Sequence, residues 1–170
     1  MLTVASILVA ALSLSSPHGT GESAEDYVVR LDTIARAIVA ESDSTDEALA
    51  VLVLWHSESK FDPLIHAGEP HPLWHQDHGR ARCGLQVHRS RLIPDWDAIT
   101  GTHLAATRRC VAAGLRVLRH GLTVCGRGYV GRERMARGFQ AYASGHCGAP
   151  SAESLRRSAE WARVVGKVAP

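Results

Sequence analysis

The chain has 170 residues, of which 45% are hydrophobic and 21% charged, and this is the composition of an ordinary globular domain. The length is sufficient for one domain with its own hydrophobic core. A formal charge of only +2 is too small to indicate a nucleic-acid-binding protein, and it is equally compatible with an anionic polymer as partner or with solvated helix faces.

The N-terminal segment from Leu2 to Leu14 is apolar and rich in small residues, and a polar stretch follows it. It is similar to the short hydrophobic core of an export signal, although the positive residues that normally precede such a core are missing. The segment is too short for a stable membrane span. We therefore expect an export signal at residues 1–20, a domain over residues 25–168, and an extracytoplasmic location, either periplasmic or secreted.

Apolar residues at helical spacing dominate the next part of the chain. A first amphipathic helix is indicated by Val28, Leu31, Ile34, Ala35, Ile38 and Val39. A capping-box sequence at 44–47, followed by an apolar run, predicts a buried second helix from about Thr45 to about Ser59. Its end is set by Pro63, which disfavours helix in the residue before it.

Residues 64–82 interrupt the helical pattern with glycines, prolines and histidines, which predicts a long loop or a small hairpin. From Gly84 to Leu92 we expect the start of another helix, which Pro94 stops.

The last part of the chain is expected to contain three helices, at 103–122, 132–143 and 151–165. The apolar face of the first is predicted from Leu104, Val111, Leu115, Leu118 and Leu122. No repeat, domain linker or long strand pattern is present in the sequence. The predicted fold class is all-α, a single compact helical domain.

The four cysteines are Cys83, Cys110, Cys125 and Cys147. None is in a C-x-x-C arrangement, so a zinc ribbon or a thioredoxin-like redox site is not indicated. An even number in an exported chain favours two disulfides. A direct Cys110–Cys125 bond is geometrically poor, because these residues are expected near opposite ends of one helical segment. We favour Cys83–Cys110 and Cys125–Cys147 over the remaining pairing and over four buried thiols.

Three separated segments are notable when taken together: Glu58-Ser59-Lys60-Phe61-Asp62-Pro63, Gly84-Leu85-Gln86-Val87-His88 and Ala141-Tyr142-Ala143-Ser144-Gly145. In this order and helical setting they resemble the segments E-S-x-F-x-P, G-L-M-Q and A-Y-N-A-G of the lysozyme-like soluble lytic transglycosylases. The first segment matches well. The other two match in part, since Gln86 stands where the family has Met and Ala143 replaces its Asn.

The resemblance implies a lysozyme-like domain, all-α or α+β, over residues 25–168. It implies a catalytic Glu58, with Tyr142 close to it and Gln86 lining the sugar cleft. The family cleaves the β-1,4 bond between N-acetylmuramic acid and N-acetylglucosamine. We accordingly expect peptidoglycan glycan strands as the partner, no cofactor, no metal and no nucleic acid, and a monomer.

The position of Glu58 is consistent with this chemistry, since burial at the end of an apolar helix raises a carboxyl pKa. A protonated carboxyl can donate to the leaving oxygen of a glycosidic bond. The substrate's N-acetyl group could then replace a second carboxylate, and attack by the sugar's own 6-hydroxyl would give a 1,6-anhydro product. Activation of water instead would make the protein a hydrolytic lysozyme. A second carboxylate stays open among Asp62, Asp77, Asp95 and Asp97, although Asp62 is more simply a turn residue.

Several further residues are candidates for substrate binding. Trp74 could stack on a sugar ring, and His88 neighbours the predicted site. Ser59 either contacts substrate or bonds the backbone near the helix end. Tyr142 has the alternative of a core tyrosine with a satisfied hydroxyl. His56 is interpreted as an outward-facing helix residue.

The segment around residue 70 is rich in histidine: His66, His71, His75 and His78. Histidine is a common zinc ligand, but no H-E-x-x-H motif is present and no cysteine has a zinc spacing. Lining of a sugar cleft or exposure on a solvated loop is the preferred interpretation. Two rival functions remain. One is a non-catalytic wall-binding or assembly protein with the same fold, and the other is an extracytoplasmic helical metal-binding protein.

Overall fold

A computed structural model of the chain describes residues 2–15, 22–69 and 80–168. These residues form α1 (Val4–Leu14), α2 (Ala24–Glu41), α3 (Thr45–Ser59), α4 (Pro63–Ala67), α5 (Leu104–Val124), α6 (Gly131–Ser144) and α7 (Ala152–Val168). Two short strands, β1 (Ala81–Arg82) and β2 (Val87–His88), pair antiparallel, and a 3₁₀ helix lies at Trp96–Ala98. The prediction of a mostly helical domain with a small hairpin is confirmed.

Helix α3 is the centre of the molecule. All eight residues from Ala48 to Trp55 are buried, so the helix is apolar on every side, as a helix enclosed by others must be. Ser44 caps its start by accepting a hydrogen bond from the backbone of Glu47. Lys60 ends it in the left-handed conformation. The predicted helix from Thr45 to Ser59 is confirmed at both ends.

Helices α1, α2, α5 and α7 contact α3, and the helices also pack against one another. Helix α2 contacts α5, α5 contacts α6, and α6 contacts α7. The indole N–H of Trp161 in α7 donates to the carbonyl of Asp46 at 3.1 Å, which fixes α7 along the start of α3. On the other side, Arg119 of α5 forms an ion pair with Glu47 at 2.7 Å.

Helix α1 lies within the segment predicted to be an export signal. It packs against α2, α3 and α7, with Ile7, Ala10 and Ala11 buried. The export signal stays a prediction, and the structure adds that this helix shares the hydrophobic core. Across the described ranges, no helix combines the length and apolar character that a membrane crossing requires.

The predicted helix from Gly84 to Leu92 is wrong. The structure has a tight turn there, with Cys83 and Gln86 at φ of 56° and 49°, followed by β2. The hairpin is also displaced from the predicted segment 64–82, because only β1 falls inside it. That segment instead begins with α4, which Asp62 caps by accepting hydrogen bonds from two backbone N–H groups. Residues 70–79 lie outside the described ranges.

Two positions assigned to apolar helix faces are exposed at the surface. Val28 is 39% exposed and Leu104 is 43% exposed, so each helix face is shorter than the sequence pattern indicates. Both lie in the first or second turn of their helices, where neighbouring positions such as Tyr27 and Ala106 are buried instead. The other residues of the face predicted for 103–122 are buried.

Both favoured disulfides are confirmed. Cys83 is bonded to Cys110, which ties the hairpin to α5. Cys125 is bonded to Cys147, which ties the end of α5 to the segment after α6. The two bonds join cysteines that are 27 and 22 positions apart in the sequence. Each bond stabilises the fold mainly by restricting the unfolded chain.

Candidate functional site

Glu58 lies in the last turn of α3, where its side chain is 19% exposed. Arg157 of α7 donates a hydrogen bond from Nη1 to Oε1 of Glu58 at 2.5 Å. Burial raises the pKa of Glu58 above its ordinary value, and the charge and hydrogen bond of Arg157 oppose that rise. Glu58 is therefore a carboxyl whose proton is favoured by burial and whose anion has a partner in place.

Tyr142 of α6 belongs to the same environment. Its hydroxyl donates to the carbonyl oxygen of Leu85 at 2.7 Å, which connects α6 to the hairpin turn. Burial, followed by the charge of Glu58, raises the pKa of Tyr142 well above its ordinary value, so the phenol stays neutral. The structure thus brings Tyr142 near Glu58, and it also gives the hydroxyl the backbone partner expected of a core tyrosine.

Gln86 lies in the hairpin turn, and His88 lies in β2 directly after it. The Gln86 side-chain amide donates to the carbonyl of Cys83 at 2.9 Å, so it closes its own turn. His88 is exposed, and its charge acts to lower the pKa of Glu58. Of these two side chains, His88 is therefore the exposed one that a substrate could contact.

Gly84 allows the hairpin to approach α3 this closely. A Cβ at Gly84 would lie 2.2 Å from Nε1 of Trp55, a distance that side chains do not tolerate. Any larger residue would push Leu85 and Gln86 away from α3, and with them the carbonyl that holds Tyr142. The glycine of the second segment is thus required by the packing of the turn.

The structure gives the two other predicted contacts different positions. Ser59 is buried, and its hydroxyl donates to the carbonyl of Trp55 at 3.0 Å, as expected for a serine that bonds the backbone at a helix end. Trp74 lies outside the described residues.

A cavity of about 540 Å³ lies between the hairpin, α5 and α6. Its walls include His88, Leu92, His120, Tyr142 and Ser144. Among the described residues, Glu58 is not part of this wall. Two residues that interact electrostatically with Glu58, Tyr142 and His88, do line it.

The interpretation of His56 as an outward-facing residue is wrong. Its side chain is 12% exposed, lies 3.6 Å from the carboxylate of Glu160 on α7, and stacks on Phe61. His56 and Glu58 at the end of α3 therefore each contact a charged residue of α7. The interface between α3 and α7 is apolar along the core and charged at this end.

His66 is buried, and interpreting it as a residue of a solvated loop is wrong. Its Nε2 lies 3.0 Å from Oγ1 of Thr107, whose own proton is donated to the carbonyl of His103. The ring therefore donates through Nε2 and packs edge-on against Trp55. Burial, followed by the charge of Arg30, lowers the pKa of His66 to about 3. The other three histidines of this segment lie outside the described ranges.

No group of His, Cys, Asp and Glu side chains suited to a metal ion occurs within residues 2–15, 22–69 and 80–168. Asp62 is engaged as a helix cap. Asp95 and Asp97 flank Trp96 beside or within the 3₁₀ helix. The carboxylate linked to Glu58 is instead Glu153, which accepts from Nε of Arg157 at 2.9 Å.

Arg157 and Glu153 are the site residues that sequence reasoning missed. The arginine-rich segment 156–163 is visible in the sequence, but nothing there distinguishes Arg157 from its neighbours. A glutamate four residues earlier is a signal for an ion pair on one helix face. It does not reveal that the arginine also reaches a residue 99 positions away.

Comparisons with protein-family models, with curated proteins and with solved structures find no match to this chain.

Proposed function

We propose that this protein cleaves the β-1,4 bond between N-acetylmuramic acid and N-acetylglucosamine in peptidoglycan, as a lytic transglycosylase with Glu58 as general acid and base. The observation that carries the proposal is Glu58 itself, a largely buried carboxyl with a raised pKa at the end of the central helix. The neighbouring Tyr142 and hairpin turn come from the two other segments that resemble this family.

The proposed reaction needs only one carboxyl. The Glu58 carboxylic acid donates its proton to the glycosidic oxygen as the bond from that oxygen to the anomeric carbon breaks. The carbonyl oxygen of the substrate's N-acetyl group bonds to the anomeric carbon in its place. The Glu58 carboxylate then takes the proton of the 6-hydroxyl, whose oxygen attacks the anomeric carbon and displaces the N-acetyl oxygen. The product is a 1,6-anhydro sugar, and Glu58 is again protonated.

The cavity beside Tyr142 and His88 supports this proposal as the place for a sugar. Its volume of about 540 Å³ lies in the range usual for ligand sites. Its walls combine apolar side chains with two histidines and two serines, which suits a ring that has one apolar face and several hydroxyls. An extracytoplasmic location, which the two disulfides favour, would bring the protein to its substrate.

Digestion of purified peptidoglycan with the wild-type protein and with Glu58→Gln tests the proposal. We expect anhydro-muropeptides from the wild type, identified by mass spectrometry. The variant should lose about 100- to 10,000-fold of the activity, the usual contribution of general acid catalysis. Glu47→Gln is the matched control, because Glu47 is a paired carboxylate at the other end of α3.

The products separate the enzymatic alternatives. Reducing ends in place of anhydro ends would show that water is activated and that the protein is a hydrolytic lysozyme. Absence of any cleavage by the wild type would contradict the enzymatic proposal.

A second candidate, a non-catalytic wall-binding or assembly protein, is favoured by one observation. Glu58 is bonded to Arg157 and is not among the described residues that line the neighbouring cavity. Such a protein would sediment with insoluble peptidoglycan without cleaving it, and Glu58→Gln would bind as strongly as the wild type. Substitution of a cavity residue such as His88 would weaken the sedimentation.

A further inference from the structure

Arg157 is placed to act on Glu58 more directly than any other charged group of the described structure. Its side chain is only 8% exposed, so little water lies around the ion pair that it forms with Glu58. A guanidinium is always charged, and an opposite charge in a water-poor site acts strongly on a carboxyl. The proton affinity of Glu58 is thus set by two opposing causes, burial and Arg157.

Arg157 is itself held in position by a second carboxylate. Glu153, one turn earlier on α7, accepts from Nε of Arg157 at 2.9 Å, while Nη1 reaches Glu58. Arg156 also donates to Glu153, at 2.7 and 2.8 Å. Hydrogen bonds from Arg156, opposed in part by burial, lower the pKa of Glu153 to about 2. This anchor therefore stays ionised at any pH well above 2, and it orients the guanidinium toward α3.

We propose that Arg157 is a positioning residue for Glu58, which orients the carboxyl and stabilises the anion left after the proton has been given away. The inference rests on the proposed function. A carboxyl that only burial affected would hold its proton too firmly to return to the anion between the two steps. Arg157 offsets this effect and leaves Tyr142 and His88 as the neighbours on the substrate side.

The groups that face Glu58 come from three elements. Arg157 and Glu153 belong to α7, Tyr142 to α6, and His88 to β2. Tyr142 is neutral, Glu153 raises the pKa of Glu58, and His88 lowers it less than Arg157 does. Removal of the Arg157 charge should therefore raise the pKa of Glu58.

Carbon-13 NMR of the glutamate side-chain carboxyls, with Glu58→Gln to assign the resonance, measures this pKa directly. In Arg157→Gln we expect the pKa of Glu58 to rise by about 1–3 units, the range for loss of an adjacent opposite charge. The basic limb of the pH–activity profile should move upward by the same amount, because the proton donor persists to higher pH. At the optimum, kcat should fall while KM changes little, since Arg157 acts through Glu58.

Two further variants keep the test independent of folding. Arg157→Lys keeps the charge but loses the two-pronged geometry, so the pKa of Glu58 should stay closer to that of the wild type while kcat remains reduced. Arg163→Gln removes an exposed arginine from the same helix and should leave the pKa of Glu58 unchanged.

The outcomes separate the two proposals. An active wild type whose Glu58 pKa and pH profile are unmoved in a folded Arg157→Gln variant overturns the role of Arg157 alone. A wild type that does not cleave peptidoglycan overturns the proposed function, and with it the positioning role, even if the pKa shift is observed.

Discussion

His66 and Glu58 are two titratable side chains that the same central helix buries in different ways. His66 is completely enclosed, is bonded to Thr107, and packs on Trp55 of α3. Glu58 lies at the end of that helix, is 19% exposed, and has a guanidinium against it. Burial favours the neutral form of both groups, but of the two only Glu58 has a charged partner that stabilises its ionised form. A buried titratable group thus becomes a candidate for chemistry when its charged form also has a partner in place.

The free energy of unfolding should separate the two regions most strongly. His66→Ala removes a buried ring, its hydrogen bond and its contact with Trp55, and should lower the free energy of unfolding by about 3–5 kcal/mol. Glu58→Gln should change it by less than about 1.5 kcal/mol, because the glutamine oxygen can still accept from Arg157. Urea unfolding measures both. Equal losses of stability in the two variants would contradict the contrast between the enclosed His66 and the partly exposed Glu58.

Removal of the Cys83–Cys110 bond tests whether the hairpin beside Glu58 is held by the covalent link or by packing. The double variant Cys83→Ala, Cys110→Ala should lose about 3 kcal/mol, as expected for a loop of this length. Its peptidoglycan cleavage should fall as well, since the turn carries the partner of Tyr142. Removal of the Cys125–Cys147 bond in the same way should cost similar stability. An unchanged cleavage rate in the first variant would show that packing alone holds the turn.

The pH dependence of stability should identify His66 as the enclosed group. Its pKa is about 3 in the folded protein and near 6.5 in the unfolded chain, so the unfolded state binds the proton first as the pH falls. The resulting loss in the free energy of unfolding is absent above about pH 6.5. It grows to about 2–3 kcal/mol at pH 4.5 and reaches its full size near pH 3. His66→Gln, whose amide can still donate to Thr107, should lack this component. Parallel pH profiles of the two proteins would refute the assignment.

The smallest expected effect concerns Gly84, which contacts Trp55 between the two regions. Gly84→Ala forces a Cβ into the indole ring and should cost at least about 1 kcal/mol by overpacking. It should also displace the turn and so lower the activity that depends on Glu58. Gly148→Ala is the matched control, because nothing lies within 4 Å of the added carbon. A stability loss without any loss of activity would show that the two regions are independent.

Local chemistry made much of this protein predictable from sequence. The capping sequence and the apolar run predicted α3 from about Thr45 to about Ser59, which the structure confirms, since both signals act within a few positions along the chain. The expected helix disfavoured a Cys110–Cys125 bond, and the pairing that was favoured among the rest is the one observed. The hairpin was misplaced because its strands have two residues each, which is too short for any periodic pattern.

Short-range signals predict most of the helices and favour the observed cysteine pairs, because spacing and capping are properties of short stretches of chain. Glu58 is selected by the resemblance of its segment and of two later segments to family motifs. The surroundings of that carboxyl depend on tertiary packing. Arg157 is separated from it by 99 residues, and a contact over that distance depends on how α7 packs on α3. The same packing turned His56 toward α7 and enclosed His66, since burial and electric field arise from neighbours that the local sequence does not contain.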